Sequence, residues 1–368
     1  MPSPLARPLL LAASLPALPA LAEPTVSGGY IGEVTSVIDG GLDRGTVYTG
    51  LAWLAAEVEA DGWRFRGNLL APHGTSLTGR YLGDLAVASN IDGDSDPRVQ
   101  ELWLERGRGP WSLRAGLLAP DAEFWALDRS ARFVNGGFGA PSTVSLNLPG
   151  APLYPLASAG LRLAFDAGDG ATWRLAAVDG DAGDPLDDNR HGLDVDFGQG
   201  ALAVVEFEQV HDRGGDATPD RWRVAAWRHS GPFVDAGGAP RGASFGVTAG
   251  WERALGDNLG GFVRANATRR AASLAPLAVE VGLDACFPDQ APGTFGLALG
   301  WIDVDPGLGA AAGIDEPDRE LVVEATWALP VGDFTVQPDV QYVHQPGGSD
   351  AVDGAWVLAL RVAWTFER

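Results

Sequence analysis

The chain of 368 residues carries 48 acidic against 26 basic side chains, a formal net charge of −22, which leaves no basic face for phosphate backbones and excludes nucleic acid as a partner. A single cysteine, Cys286, excludes an internal disulfide and a multi-cysteine metal centre, and the histidines His73, His191, His211, His229 and His344 never fall at a metal-ligand spacing. Beyond the N-terminal segment no stretch offers the roughly 20 uncharged apolar residues of a membrane helix. Mean hydropathy is +0.01, so any passage through a bilayer has to be made by strands, whose two faces cancel in the average.

In chain order, the first segment places Arg7 before an apolar Leu/Ala/Pro run and the small-x-small sequence Ala20-Leu21-Ala22. This is the pattern of an export signal cleaved after Ala22, leaving residues 23–368 as one domain. From Glu23 onward one unit repeats: an alternating segment of about ten residues, then a turn rich in Gly, Asp and Pro. Strands are predicted near residues 25–36, 46–59, 62–71, 97–107, 110–119, 158–167, 171–179, 200–210, 221–230, 242–254, 258–269, 276–287, 293–304, 318–329, 332–344 and 354–366. In the last of them Trp356, Leu358, Leu360, Val362, Trp364 and Phe366 form one apolar face, with Val357, Ala359, Arg361, Ala363 and Thr365 on the other. Aromatic rings at both ends of an apolar row suit a strand whose ends meet two membrane interfaces and whose middle meets hydrocarbon. The fold class expected is all-β: a transmembrane antiparallel β-barrel of about 16 strands with a long constriction loop folded into it.

Two loops stand out by length. The first, about Pro72 to Asp96, contains Thr78-Gly-Arg-Tyr-Leu-Gly-Asp-Leu, enough for one or two helical turns. The second, about Pro120 to Ala157, places Asp121, Glu123, Phe124, Trp125, Asp128, Arg129, Arg132 and Asn135 close together. Rings that pack on the CH faces of a sugar, beside groups that hydrogen-bond its hydroxyls, make a carbohydrate site, although the same residues serve equally to anchor a folded loop. Facing this loop, the water-side rows of the preceding strands carry Arg64, Arg66 and Asn68, then Arg98, Glu101, Trp103, Glu105 and Arg114. Leu102 and Leu104 are expected to face lipid, which turns Glu101, Trp103 and Glu105 inward. Charge on the lipid face would cost roughly 2–4 kcal/mol for Arg at midplane.

Asn90, Asp92, Asp94, Asp96 and Glu101 have the spacing of a twelve-residue calcium loop, but Ser95 stands where the sharp turn needs glycine, so an acidic turn before a strand is the simpler reading. The acidic run from Asp179 to Asp188 reads as a solvated loop. Paired carboxylates such as Glu206 and Glu208 are expected in any polar lumen. With no His-x-x-x-His pair, and with its Gly-rich segments reading as turns, the chain reads as no enzyme and calls for no cofactor.

Several blocks resemble the carbohydrate-selective porins of Gram-negative outer membranes. They are Arg98-Val-Gln-Glu-Leu-Trp-Leu-Glu105, Phe133-Val-Asn-Gly-Gly-Phe-Gly139, Tyr154-Pro-Leu-Ala-Ser-Ala-Gly160 and, most specific, Val336-Gln-Pro-Asp-Val-Gln-Tyr-Val-His-Gln-Pro-Gly-Gly348. The resemblance implies a sixteen-stranded outer-membrane porin that passes glucose and related small neutral sugars passively. Its implied surroundings are outer-membrane lipid and lipopolysaccharide, the barrel-assembly machinery during biogenesis and a possible homotrimer. Two rival readings are a general, cation-preferring diffusion porin whose charge sets selectivity, and a glycan-binding β-protein with no channel.

Overall fold

The computed structural model describes residues 23–93, 96–148, 150–183, 189–213, 218–287 and 291–368; the expected export signal and Asp94 lie outside them. Among these residues the strands are β1 (Thr25–Asp39), β2 (Gly45–Ala60), β3 (Trp63–Gly74), β4 (Arg98–Arg108), β5 (Trp111–Leu118), β6 (Ser158–Gly168), β7 (Ala171–Asp179) and β8 (Ala201–His211). They continue as β9 (Asp220–Val234), β10 (Pro240–Ala254), β11 (Leu259–Thr268), β12 (Leu277–Phe287), β13 (Ala291–Asp303), β14 (Arg319–Val331), β15 (Phe334–His344) and β16 (Ala355–Glu367). Each strand pairs with its sequence neighbours, and β1 pairs antiparallel with β16, closing the barrel. Closure leaves no unpaired strand edge, the condition for crossing a bilayer with sheet.

Alternation drives this architecture. On β16, Trp356, Leu358, Leu360, Val362 and Trp364 are exposed on the outer wall, while Val357, Ala359 and Arg361 are buried on the inner one. Leu102 and Leu104 of β4 likewise face out, and Glu101 and Trp103 face in. Outward rings collect near the rim that carries the short turns. Trp111 and Phe165 have centroids 4.5 Å apart, Trp173 and Phe207 4.8 Å, and Phe207 and Trp222 5.0 Å, a nearly continuous aromatic belt across β5 to β9.

The longer connections share the opposite rim. The first of the two long loops begins one residue after Gly74, because Pro72 and His73 still pair with β2, and its helical content is a single short turn, Thr78–Leu82. The second, residues 119–157, buries Phe124, Trp125, Val144 and Leu148 in one cluster with Val178, Leu202, Val204 and Trp227 on the inner rows of β7 to β9. Its Leu127, Phe133 and Phe138 form another with Phe262 and Ala298. The apolar core of this protein therefore lies inside the barrel, between loop and wall.

Candidate functional site: a lattice of arginines and carboxylates on the inner wall

The inner rows of β2 to β10 carry acids on β2, β4, β8 and β10 and arginines on β3, β5, β6, β7 and β9. Arg66 on β3 donates from Nε to Glu101 on β4 at 3.0 Å and from Nη1 to Glu57 on β2 at 3.3 Å, and Arg64 pairs with Glu57 and Glu59, each at 3.4 Å. Trp103 Nε1–H donates to the other oxygen of Glu101 at 2.9 Å. One place along, Arg114 on β5 donates to Glu105 at 3.0 Å, and Arg162 on β6 reaches the same carboxylate at 2.6 Å. Registry explains these contacts: Arg66 lies directly opposite Trp103, Arg64 opposite Glu105, and Glu105 opposite Arg114, so inward side chains of adjacent strands meet at cross-strand distance.

The 119–157 segment enters this lattice through Glu123. Its carboxylate accepts from Arg114 at 3.3 Å, Arg162 at 2.9 Å and Arg174 at 3.3 Å, three arginines from three successive strands, and its backbone carbonyl accepts from Arg223 Nη1 at 2.6 Å. Asp128 pairs with Arg221 at 2.9 Å, while Arg221 also holds Glu208 at 3.1 Å and Glu252 at 2.9 Å.

The segment's backbone is held by wall carboxylates. Glu206 accepts from the Trp125 amide at 2.7 Å, Glu252 from the Arg129 amide at 2.8 Å, and Glu324 from the amides of Val134 at 2.6 Å and Asn135 at 2.9 Å. Arg264 on β11 donates to the carbonyls of Gly137 and Gly139, both at 2.9 Å. The 75–97 segment is held in the same way: Glu320 accepts from the amides of Leu85, Ala86 and Gly347 at 2.7, 2.8 and 2.8 Å. Between the two segments is a cavity of about 330 Å³ whose lining includes Asn90, Asp92, Asp121, Ser142 and Tyr154.

The residues expected from sequence separate into three groups. Arg64, Arg66, Glu101, Trp103, Glu105, Arg114 and Glu123 come together in the lattice, and Asp128 sits beside it with its carboxylate half exposed. A second group holds structure. Asp121 accepts the Tyr154 amide at 2.8 Å, and burial, partly offset by that bond, pushes its carboxyl up to about 6. Arg129 Nη1 donates to both carboxylate oxygens of Asp284, at 2.7 and 2.8 Å, and Asn135 is fully buried against Gln341 and Gly137. Arg98 donates to the carbonyl of Asn189, tying β4 to the loop after β7.

The third group is corrected. Phe124 and Trp125, expected as sugar platforms, are each 2% exposed, their rings taken up by packing against the wall, and the face of Trp103 is covered by Arg114. The calcium spacing forms no ligand set among the described residues: Asn90 Oδ1 accepts from Arg361 at 2.8 Å, Asp92 from Ser76 at 2.5 Å, and Glu101 from Arg66 and Trp103.

Sequence reading missed Arg162, Arg174, Arg221, Arg223, Glu252 and Glu324 as parts of this network. The available signal was parity, since each is a charged residue on the row that alternates with apolar ones, as in Leu161-Arg162-Leu163.

Solved structures share the fold. Pseudomonas putida OprB, in its high-pH structure, superposes with a TM-score of 0.81 at 16% identity over 94% of each chain. The outer-membrane channel DcaP of Acinetobacter baumannii superposes at 0.60 with 12% identity over 94% of this chain and 97% of that one. A porin mutant of Rh. blastica gives 0.53 at 14% over 94% and 100%. No curated protein sequence matches the chain. Residues 54–366 match the carbohydrate-selective porin, OprB family. This protein belongs to that family, and it is a multi-pass β-barrel of the outer membrane that acts as a sugar channel and not as an enzyme.

Proposed function

We propose that the channel admits glucose and related small neutral sugars, and that the 119–157 segment and the facing wall of β2 to β7 form its constriction. The observation that carries this reading is the mutual neutralisation of charge in the lattice: Arg66 is shared between Glu57 and Glu101, and Glu123 among Arg114, Arg162 and Arg174. Such a surface offers many directional donors and acceptors with little net field, which suits hydroxyls better than ions. Arg64, Arg66 and Glu57 keep about a third of their side chains exposed, so they are the groups open to a solute. Release requires weak binding, since a passive pore that held its sugar would block.

Single-channel recording in a planar bilayer tests this, with titration by glucose and by an amino acid of similar size. Current reduced by glucose alone is expected. Current indifferent to both favours the second reading, a cation-preferring diffusion porin, for which the net charge of −22 speaks. Residues 1–22 act as a cleaved export signal in this reading, so the mature N-terminus is Glu23, which intact-mass measurement of outer-membrane protein checks. A homotrimer is expected from cross-linking in the native membrane, after insertion by the barrel-assembly machinery.

A further inference from the structure

The outer wall carries one charge where a lipid-facing surface ordinarily has none. Among the described residues, the charged side chains of the outward rows sit near one end or the other of their strands, except Arg228, which lies in the interior of β9, exposed and without an ion pair. Registry places it in a defined row. Leu161 of β6 lies opposite Ala177 of β7, Ala177 opposite Ala203 of β8, Ala203 opposite Arg228, and Arg228 opposite Phe245 of β10. The Phe245 carbonyl accepts the Arg269 amide at 3.1 Å, so Arg228 and Arg269 flank the same residue. Adjacent strands are about 4.8 Å apart, which sets the two arginines roughly 10 Å from each other.

The height of this row is fixed by rings. Phe245 and Trp251 are the outward aromatics of β10, and Trp251 faces Trp222 near the short-turn rim. Arg228 lies six residues along β9 from Trp222, on the side of the longer connections and beside Phe245, toward the other, outer interface, where an exposed arginine costs less than at midplane and its stem can snorkel. Arg269 lends its Nη1–H to the carbonyls of Arg241 at 2.8 Å and Ala243 at 3.2 Å, contacts that leave its charge uncompensated. Arg241 and Arg270 beside them are paired, with Asp235 and Asp303. In a chain with 48 acids to 26 bases, two uncompensated arginines together on the outer belt are out of character.

Beside Arg228 the wall is hollowed. The short side chains of Ala177 and Ala203, in the same cross-strand row as Arg228, and of Ala226, two residues before it on β9, leave a trough of about 570 Å³ among Leu113, Leu161, Leu163, Leu175 and Val205, with Arg228 in its lining.

We propose that Arg228 and Arg269 bind the phosphates of a phosphorylated glycolipid of the outer leaflet, the lipid A portion of lipopolysaccharide, with an acyl chain seated in the Ala177, Ala203 and Ala226 trough. The two cations match a headgroup carrying phosphates, and the apolar trough that Arg228 lines offers an acyl chain a seat beside them. The inference rests on the outer-membrane placement of the barrel.

Native mass spectrometry of the full-length protein in mild detergent tests it, with a minimal lipopolysaccharide core, the same lipid dephosphorylated, and inorganic phosphate as probes. The parent is expected to retain the phosphorylated lipid about tenfold better than the dephosphorylated one, and the double variant Arg228→Gln with Arg269→Gln to lose that preference. Arg228→Lys keeps most of it, and Ala203→Trp, which fills the trough, weakens retention with both arginines present. Equal retention of the two lipids by the parent overturns the proposal even if every variant fails to fold. So does unchanged preference in the double variant, or displacement of the lipid by millimolar phosphate, which would make this a phosphate site alone. Single-channel conductance on the same preparations separates this outcome from a failure of the channel reading: normal current without lipid preference removes only the lipid site.

Discussion

The guanidinium carbon of Arg114 lies 3.8 Å from the centroid of the Trp103 ring while its Nε donates to Glu105 at 3.0 Å. Trp103 thus braces both acids of its strand, Glu101 through its own N–H and Glu105 through the arginine stacked on it. The ring fixes its charged neighbours in place, with its own face covered.

Replacing Trp103 by Ala removes the brace. Deletion of a buried Trp is expected to cost about 3–5 kcal/mol, and Arg114 loses a cation–π contact worth about 0.5–2 kcal/mol. Thermal unfolding in detergent should show the loss, and the glucose concentration for half-block should rise several-fold. An unchanged half-block would show that the geometry of Arg114 does not matter to the solute.

Glu206 accepts the Trp125 amide and pairs with Arg223 at 2.9 Å and Arg174 at 3.3 Å. Glu206→Ala leaves buried arginine charge undercompensated and an amide unpaired, a loss of about 3–5 kcal/mol. Glu206→Gln keeps an acceptor for the amide and is expected to cost less, about 1–3 kcal/mol. Resistance of the barrel to heating in dodecyl sulfate ranks the variants, and equal losses would mean that the amide contact contributes nothing.

A Cβ on Gly260 would stand 1.7 Å from Nη1 of Arg129. The clash is with the far end of a flexible side chain, so Gly260→Ala leaves the β-ladder intact and expels Arg129 from Asp284. The expected result is a normally inserted barrel with noisier single-channel current, as the 119–157 segment loses one anchor. Quiet, parent-like current would show that the segment is held without it.

Burial pushes Asp121 up to about 6 from 3.8, and does the same to Asp84, whose bond to the Thr78 hydroxyl at 2.6 Å offsets it only in part. The folded arrangement therefore binds protons more tightly than the open one. Attachment of the loops is strongest below about pH 4, weakens as pH rises through about 6, and is constant above. A shift of about two units is worth roughly 3 kcal/mol, or a hundredfold in local opening. Hydrogen exchange at the Tyr154 amide should accelerate between pH 4 and 7 beyond the intrinsic rate, and Asp121→Asn should abolish that excess.

Strand positions were legible because each strand meets two different solvents, and that contrast is written into alternate residues. Misreadings occurred where local chemistry pointed elsewhere. The ninth strand, expected near residues 221–230, stops short of Gly231-Pro232, yet β9 runs on to Val234 with Phe233 buried, and the ladder to β10 shows register shifts between Pro240 and Ser244. Inward charge on Arg66, Glu101, Glu105 and Arg114 was likewise visible from parity. What those charges touch was not, because the contact of Glu324 with Val134 and Asn135 depends on how the chain closes around the lumen. Phe124 and Trp125 carried the chemistry of a sugar platform, and only the position of the inner apolar patch on β7 to β9 decides that they are packed away.

Every one of the wall carboxylates Glu206, Glu252, Glu320 and Glu324 grips loop backbone amides. An amide is common to all residues except proline, so these grips are indifferent to side-chain identity at the positions they hold. The scaffold thereby encodes where the loops lie, and the loops retain latitude over which groups they show to the solute. A channel built this way can be retuned from one sugar to another by substitutions in its loops, leaving the barrel and the path through it where they are.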